Sequence, residues 1–149
     1  MFFVHATIIN NSMNKIYFAG SIRAGRGDAH IYKELVRLLS KYGKVLTEHV
    51  GDPGLAESGE VGKTEEFIFE RDVKWIAEAD VLVAEVTQPS LGVGYEIGVA
   101  ERLGKRVLCL YRVQEGKKLS AMIMGNKKLT VESYGDISAA EVIVAKFFK

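Results

Sequence analysis

The chain has 149 residues, 48% of them apolar and 26% charged, with a formal net charge of +1. That length suits one domain with a sizeable core, and the near-neutral balance excludes the basic footprint of a nucleic-acid polymer binder or an anionic-membrane binder. No apolar run reaches the roughly 20 residues that span a bilayer, and the single cysteine, Cys109, excludes an internal disulfide and fits a reducing compartment.

Residues 1–14 read as an N-terminal extension. Phe2-Phe3-Val4 and Ile8-Ile9 are apolar, but no positive segment precedes them and no small-residue cleavage site follows. The segment is an upstream start or frayed extension, or else an added edge strand. From residue 15 to 149, strand and helix patterns alternate without internal repeat or linker. This predicts one α/β domain: a doubly wound, mostly parallel sheet of five strands flanked by helices. Lys15 to Ala19 is the first predicted strand, and Gly20 to Gly27 a loop with three glycines and two arginines. Asp28 is the expected N-cap of a helix to Tyr42, with Gly43 as its stop. Val45 to Val50 reads as a short strand, and Gly51 to Gly62, with Pro53 and four glycines, as a mobile loop. Thr64 caps a predicted helix to Ala79. Val81 to Val86 is the central strand, Val93 to Leu103 a helix, and Arg106 to Arg112 the next strand. Gln114 to Lys118 reads as a loop and Lys128 to Tyr134 as the last strand. Ser138 and Glu141 make a capping box for a final helix ending at Phe147-Phe148.

Ligands of such sheets bind beyond the carboxyl ends of the strands. That gathers the Gly20 loop, the His49 region and the Ser90 loop at one edge. In the Gly20 loop, backbone N–H groups, the Ser21 hydroxyl and the guanidiniums of Arg23 and Arg26 make an anion site, although a solvated basic turn explains them equally well. The glycine spacing does not fit a dinucleotide fingerprint. The stretch Thr87-Gln88-Pro89-Ser90-Leu91-Gly92-Val93-Gly94-Tyr95-Glu96-Ile97-Gly98 joins the central strand to a helix through a glycine-rich turn that admits a ligand to the backbone. It delivers a carboxylate, Glu96, to the first turn of that helix. A phosphate cradle alone has no use for a negative side chain there, so Glu96 points to chemistry at a carbon beside a phosphate.

Asp72 shares a helix face with Ile68, Trp75, Ile76 and Ala79. A carboxylate on an apolar face is costly unless paired or functional, and pairing with Arg71 or Lys74 is the plain explanation. Together, Glu96 and Asp72 are the minimum kit for cleaving a glycosidic bond: one attacks or stabilises the sugar carbon, the other handles protons. Glu85, near the end of the central strand, is a rival carboxylate or a structural one bonded to neighbouring loops. His49 is a base-contacting group or an ordinary strand-end histidine. Without a zinc-binding helix motif, a cysteine pair or a histidine cluster, no metal site is expected. Cys109, within Val107-Leu108-Cys109-Leu110, reads as a small buried hydrophobe.

Ile16-Tyr17-Phe18-Ala19-Gly20-Ser21-Ile22-Arg23, Leu46-Thr47-Glu48-His49-Val50, the run from Ala84 to Glu96 and Leu119-Ser120-Ala121-Met122-Ile123 closely resemble the 2′-deoxynucleoside 5′-monophosphate N-glycosidases of the nucleoside 2-deoxyribosyltransferase superfamily. The resemblance runs in order from Lys15 to about Tyr134. It implies a Rossmann-like fold, no cofactor, a small deoxynucleotide substrate and a homodimer with shared sites. It implies that Glu96 attacks C1′ of the deoxyribose, that Asp72 assists departure of the base and then activates water, and that Tyr17 holds the nucleophile. Gly20, Ser21, Ile22, Arg23, Gly25, Arg26, Ser90, Gly92 and Gly94 resemble the nucleotide and phosphate contacts. His49 and Met122 resemble pocket-lining residues, and Ser120 a phosphate contact given to the neighbouring subunit. Transferases of the superfamily commonly carry an acidic residue six positions before the nucleophile, against a free 5′-hydroxyl. This chain has Ser90 there, and a serine can donate to a 5′-phosphate that a carboxylate would repel. The hydrolase is therefore expected over the transferase, or over a binding module without turnover, in the cytoplasm or, in a eukaryote, the nucleus. Ala24 replaces a glycine common in the family's first loop, and the Gly51 to Gly62 loop is divergent.

Overall fold

The computed structural model describes residues 13–22, 27–52, 54–56 and 58–149. The expectations for residues 1–12 and for Arg23, Gly25 and Arg26 lie outside these. Five strands form one sheet: β1 (Asn14–Ala19), β2 (Gly43–Val45), β3 (Val81–Glu85), β4 (Arg106–Tyr111) and β5 (Thr130–Ser133), in the order β2-β1-β3-β4-β5. Every neighbouring pair is parallel. A parallel sheet is covered on both faces, which is why its inner strands are apolar almost throughout.

The side-chain period of two divides the core. Ile16, Phe18, Val81, Val83, Leu108 and Leu110 pack with α1 (Ala29–Leu39) and α5 (Ile137–Phe147). Tyr17, Ala19, Leu82, Ala84, Val107 and Cys109 face the other way, with α2 (Glu65–Glu78) and α3 (Leu91–Arg102). The doubly wound α/β expectation therefore holds. Cys109 is fully buried and burial pushes its thiol up to about 12, so it acts as a hydrophobe. No helix among the described residues is long and apolar enough to cross a membrane.

Several boundaries differ from expectation, each for a local reason. The second strand is Gly43–Val45, not Val45 to Val50. Leu46 N–H still donates to the Ile16 carbonyl, but then the Thr47 hydroxyl takes over, accepting from Phe18 N–H at 2.8 Å and donating to the Phe18 carbonyl at 2.6 Å. A side chain thus replaces the backbone at the sheet edge, and the chain turns into a 3₁₀ helix at Glu48–Gly51 carrying His49. Gly43 is not the stop of α1, which ends at Leu39; it opens β2. Asp28 makes no side-chain cap bond and instead pairs with Arg112. α3 begins at Leu91, capped by Ser90, so Glu96 stands in the second turn and not the first. A short helix, α4 (Ala121–Met124), was not foreseen; Ser120 caps it. The cap of α5 is Asp136, whose Oδ1 accepts from Ala139 N–H at 2.8 Å; Ser138 and Glu141 lie inside the helix. The Thr64 cap of α2 stands as expected, accepting from Phe67 N–H.

The order β2-β1-β3 sends the chain to one side after β1 and to the other after β3. That reversal opens a crevice beyond their carboxyl ends, where the Gly20 and Ser90 segments lie. The sheet edge here tolerates no side chain at Gly43, where a Cβ would come within 2.2 Å of the Asn14 carbonyl oxygen. Gly43→Ala is expected to destabilise the fold by about 1–3 kcal/mol in urea unfolding, by overpacking of a strand contact.

Candidate active site

On the α2/α3 face of the sheet, strand and helix meet at a part-buried hydrogen bond. Tyr17, only 1% exposed, points from β1 toward α2 and α3, and its hydroxyl donates to Glu96 Oε1 at 2.7 Å. Glu96 reaches it because Ser90 fixes the start of α3, its Oγ accepting from Val93 N–H at 3.3 Å. Burial pushes the Glu96 carboxyl up to about 7; the Tyr17 hydrogen bond acts against this and the charge of Asp72 adds to it. Burial first, then the charges of Glu96 and Asp72, raise the Tyr17 phenol far above its usual value, so Tyr17 stays a donor across the physiological range.

Asp72 lies on α2 beside Arg71, whose Nε and NH2 approach Asp72 Oδ1 at 2.9 and 2.8 Å. The plain expectation of an Arg71 pair is thus correct, yet the carboxyl still sits above the usual range because burial outweighs the guanidinium. Arg71 is shared: its NH1 and NH2 donate to the two oxygens of Glu60, each at 2.7 Å. Its plane also lies over Trp75, 4.6 Å from the ring centroid. His49, on the 3₁₀ turn, is tilted against Trp75 at 5.9 Å, and its Nε2 is 3.7 Å from Glu60 Oε2. Burial chiefly lowers its pKa, which keeps the imidazole neutral near pH 7.

Tyr17, Asp72, Glu96 and His49 therefore form one cluster, joined by Glu60, Arg71 and Trp75. Sequence reading missed Glu60 altogether, because it lies in the glycine-bearing loop before α2, which carries no periodicity to say where it turns back onto Arg71. Ser90, Gly94, Ser120 and Met122 fall elsewhere, lining a cavity of about 870 Å³ between α3, α4 and the segment after β4. Neither Glu96, Asp72 nor Tyr17 lines it. Met122 is 81% exposed, and Ser120 too is exposed. Of the described Gly20 segment, Gly20 packs under Tyr32, where a Cβ would meet the ring at 3.1 Å. Ser21 is buried with a hydroxyl unpartnered among the described residues, and Ile22 packs against the α1/α5 core.

Glu85 belongs to the other face. Fully buried, it accepts from the Tyr134 hydroxyl at 3.0 Å, from Thr87 N–H at 3.2 Å and from the Thr87 hydroxyl. Burial raises its pKa against these bonds. Every partner is a group of the fold, which answers the choice between rival and structural carboxylate in favour of the structural one.

A model of the nucleoside 2-deoxyribosyltransferase family matches residues 16–145, and the chain belongs to that family. It is 49% identical over 138 residues to the 5-hydroxymethyl-dUMP N-hydrolase of Esox lucius, covering 90% of this chain and 95% of that one. To the protein of the same name from Mus musculus it is 50% identical over 138 residues, covering 90% and 79%. The solved 2-deoxyribosyltransferase of Bacillus psychrosaccharolyticus has the same fold, with a TM-score of 0.63 at 22% identity over 85% of this chain and 90% of that one.

Gly92 and Gly94 have helical backbone and no crowding: a Cβ on Gly94 would meet nothing within 4 Å, and one on Gly92 only Ser90 Oγ at 3.8 Å. The fold gains nothing from glycine there. Gly94→Ala is expected to raise stability by about 0.5–1 kcal/mol in thermal unfolding, through helix propensity.

Proposed function

We propose that this chain hydrolyses the N-glycosidic bond of 2′-deoxynucleoside 5′-monophosphates, releasing free base and 2-deoxyribose 5-phosphate, with residues 15–149 as a single catalytic domain. The observation that carries the reading is the Tyr17–Glu96 hydrogen bond with Asp72 close enough for its charge to act on both. A module that only binds has no use for a nucleophile-sized carboxylate buried beside a second one. The names of the relatives support the same reaction, and make 5-hydroxymethyl-dUMP the first substrate to try.

In this mechanism the Glu96 carboxylate attacks C1′ as the bond from C1′ to the base nitrogen breaks. The base departs with the proton of the Asp72 carboxylic acid. Asp72, now a carboxylate, takes a proton from water as its oxygen attacks C1′, and Glu96 is released. Tyr17 donates to one Glu96 oxygen throughout, which orients the other and tempers its basicity. The neutral His49 offers a hydrogen bond to the base without adding charge.

Ser90, Gly92, Gly94 and the segment from Gly20 to Arg26 hold the nucleotide and its phosphate. The buried Ser21 hydroxyl, unpartnered among the described residues, supports this. Ser120 and Met122 act in the site of a second copy, as a homodimer. Their exposure on this chain supports that arrangement. The buried lone cysteine suits the reducing cytoplasm.

Base release followed by chromatography tests the assignment. Glu96→Ala is expected to lower turnover by about 10³-fold or more with binding retained, and Asp72→Asn by about 10²–10³-fold. Base exchange only in the presence of an acceptor base would favour a transferase instead.

Ser90→Asp separates recognition from folding. Aspartate is as good an N-cap as serine, so α3 keeps its start. Its charge is expected to cut kcat/KM for the monophosphate at least about tenfold relative to the nucleoside. An unchanged preference would remove Ser90 from the phosphate site.

A further inference from the structure

The Arg71 guanidinium stands between two carboxylates that differ in what they face. Asp72, on α2, faces Tyr17 of β1, Glu96 of α3, His49 of the 3₁₀ turn, and Arg71 itself. Glu60 comes from the loop before α2 and faces Arg71, Lys63 and His49. It grips Arg71 through a two-oxygen fork, the strongest geometry open to this pair. Trp75 covers one face of the guanidinium. The side chains of Arg71 and Glu60 are 12% and 13% exposed, so neither charge is freely screened by water.

We propose that Glu60 is a positioning residue for base departure: it fixes the edge that Arg71 presents to Asp72 and offsets the positive charge that Arg71 would otherwise place on that carboxyl. The proposal rests on the role given above to Asp72 as proton donor. An Arg71 with no counter-charge would hold Asp72 as a carboxylate, the form with no proton to give. Arg71 in turn pulls Glu60 down to about 2. Glu60 therefore stays charged at every pH at which the enzyme works, and acts as a constant bias rather than a switch.

Glu96 must be ionised and Asp72 protonated for the first step, so the rate falls on both sides of a pH optimum. The two limbs belong to the coupled pair. Without the Glu60 charge, the shared proton moves from Asp72 toward Glu96, the unproductive arrangement, and the last proton is lost at lower pH. The experiment is the pH profile of kcat for base release from a deoxynucleoside monophosphate, using the full chain.

Glu60→Gln keeps the size and one acceptor oxygen but removes the charge. It is expected to lower kcat about tenfold near neutrality and to move the alkaline limb about one pH unit toward acid, with KM within about twofold. Glu60→Asp, which keeps the charge on a shorter arm, is expected to bring the limb back. Lys63→Ala removes only an exposed partner of Glu60 and is expected to leave the profile unchanged. An unmoved limb in Glu60→Gln, or a loss confined to KM, would overturn the proposal and leave Glu60 as a loop anchor. Asp72→Asn distinguishes the two levels. If it keeps the alkaline limb, the proton-donor role fails and takes this proposal with it. If it loses the limb while Glu60→Gln keeps it, only the Glu60 proposal fails.

Discussion

The hydrogen bond from Tyr17 to Glu96 joins the first strand of the sheet to the helix after its central strand, and the rest of the site is arranged around it. It requires β1 and β3 to be neighbours, which the reversal of strand order supplies. It requires Tyr17 to face α3, which the alternation Ile16-Tyr17-Phe18 supplies once Ile16 and Phe18 take the opposite core. It also requires α3 to begin where Ser90 starts it, so that position 96 turns inward in the second turn. A tyrosine in the apolar end of β1 is thus both a core residue, packed along its ring, and the neutral donor to a half-buried carboxylate.

Two glutamates on opposite faces of one sheet, Glu85 fully buried and Glu96 half-buried, differ in their partners. Glu85 is saturated by Thr87 and Tyr134, with Arg112 at 4.0 Å, while Arg112 also pairs with Asp28. The segments after β3, β4 and β5 and the start of α1 are thereby tied at the edge where the crevice opens. Arg112 N–H donating to the Thr87 hydroxyl at 2.9 Å closes the knot. Glu96 has one hydrogen bond from the fold among the described residues, and Asp72 raises its pKa instead of satisfying it. A carboxylate with its lone pairs spent on the fold holds loops together; one with capacity to spare can reach a sugar carbon.

The class of fold was legible in the sequence because short, mostly apolar runs such as Val81 to Ala84 and Val107 to Leu110 alternate with segments of helical periodicity, the pattern of buried parallel strands joined by helices. What misled was competition between equivalent local signals. Asp136 and Ser138 both cap helices well, and the earlier one formed the bond. Asp28 had the right place for a cap but a half-buried arginine, Arg112, within reach. Val45 to Val50 had strand composition, but Thr47 supplied the pairing of an edge strand with its side chain. At the site, chemistry singled out Glu96 and Asp72 and the family resemblance alone pointed to Tyr17, and the structure brings the three side by side. Glu60 was not, since only the path of the loop brings it to Arg71.

Asp72 also shows why a plain explanation and a functional one need not compete. The carboxylate on the apolar face of α2 is paired with Arg71, as burial cost demands. Had Arg71 belonged to Asp72 alone, that pairing would have fixed the carboxylate as an anion and closed off proton donation. Because Glu60 holds the guanidinium by its outer nitrogens, the cluster carries two potential negative charges around one positive charge, and the proton is favoured on Asp72, which lacks the two-oxygen fork that holds Glu60 charged. In the proposed mechanism the arginine stabilises the site without neutralising its chemistry, and the loop that delivers Glu60 becomes part of the proton balance at the bond to be broken.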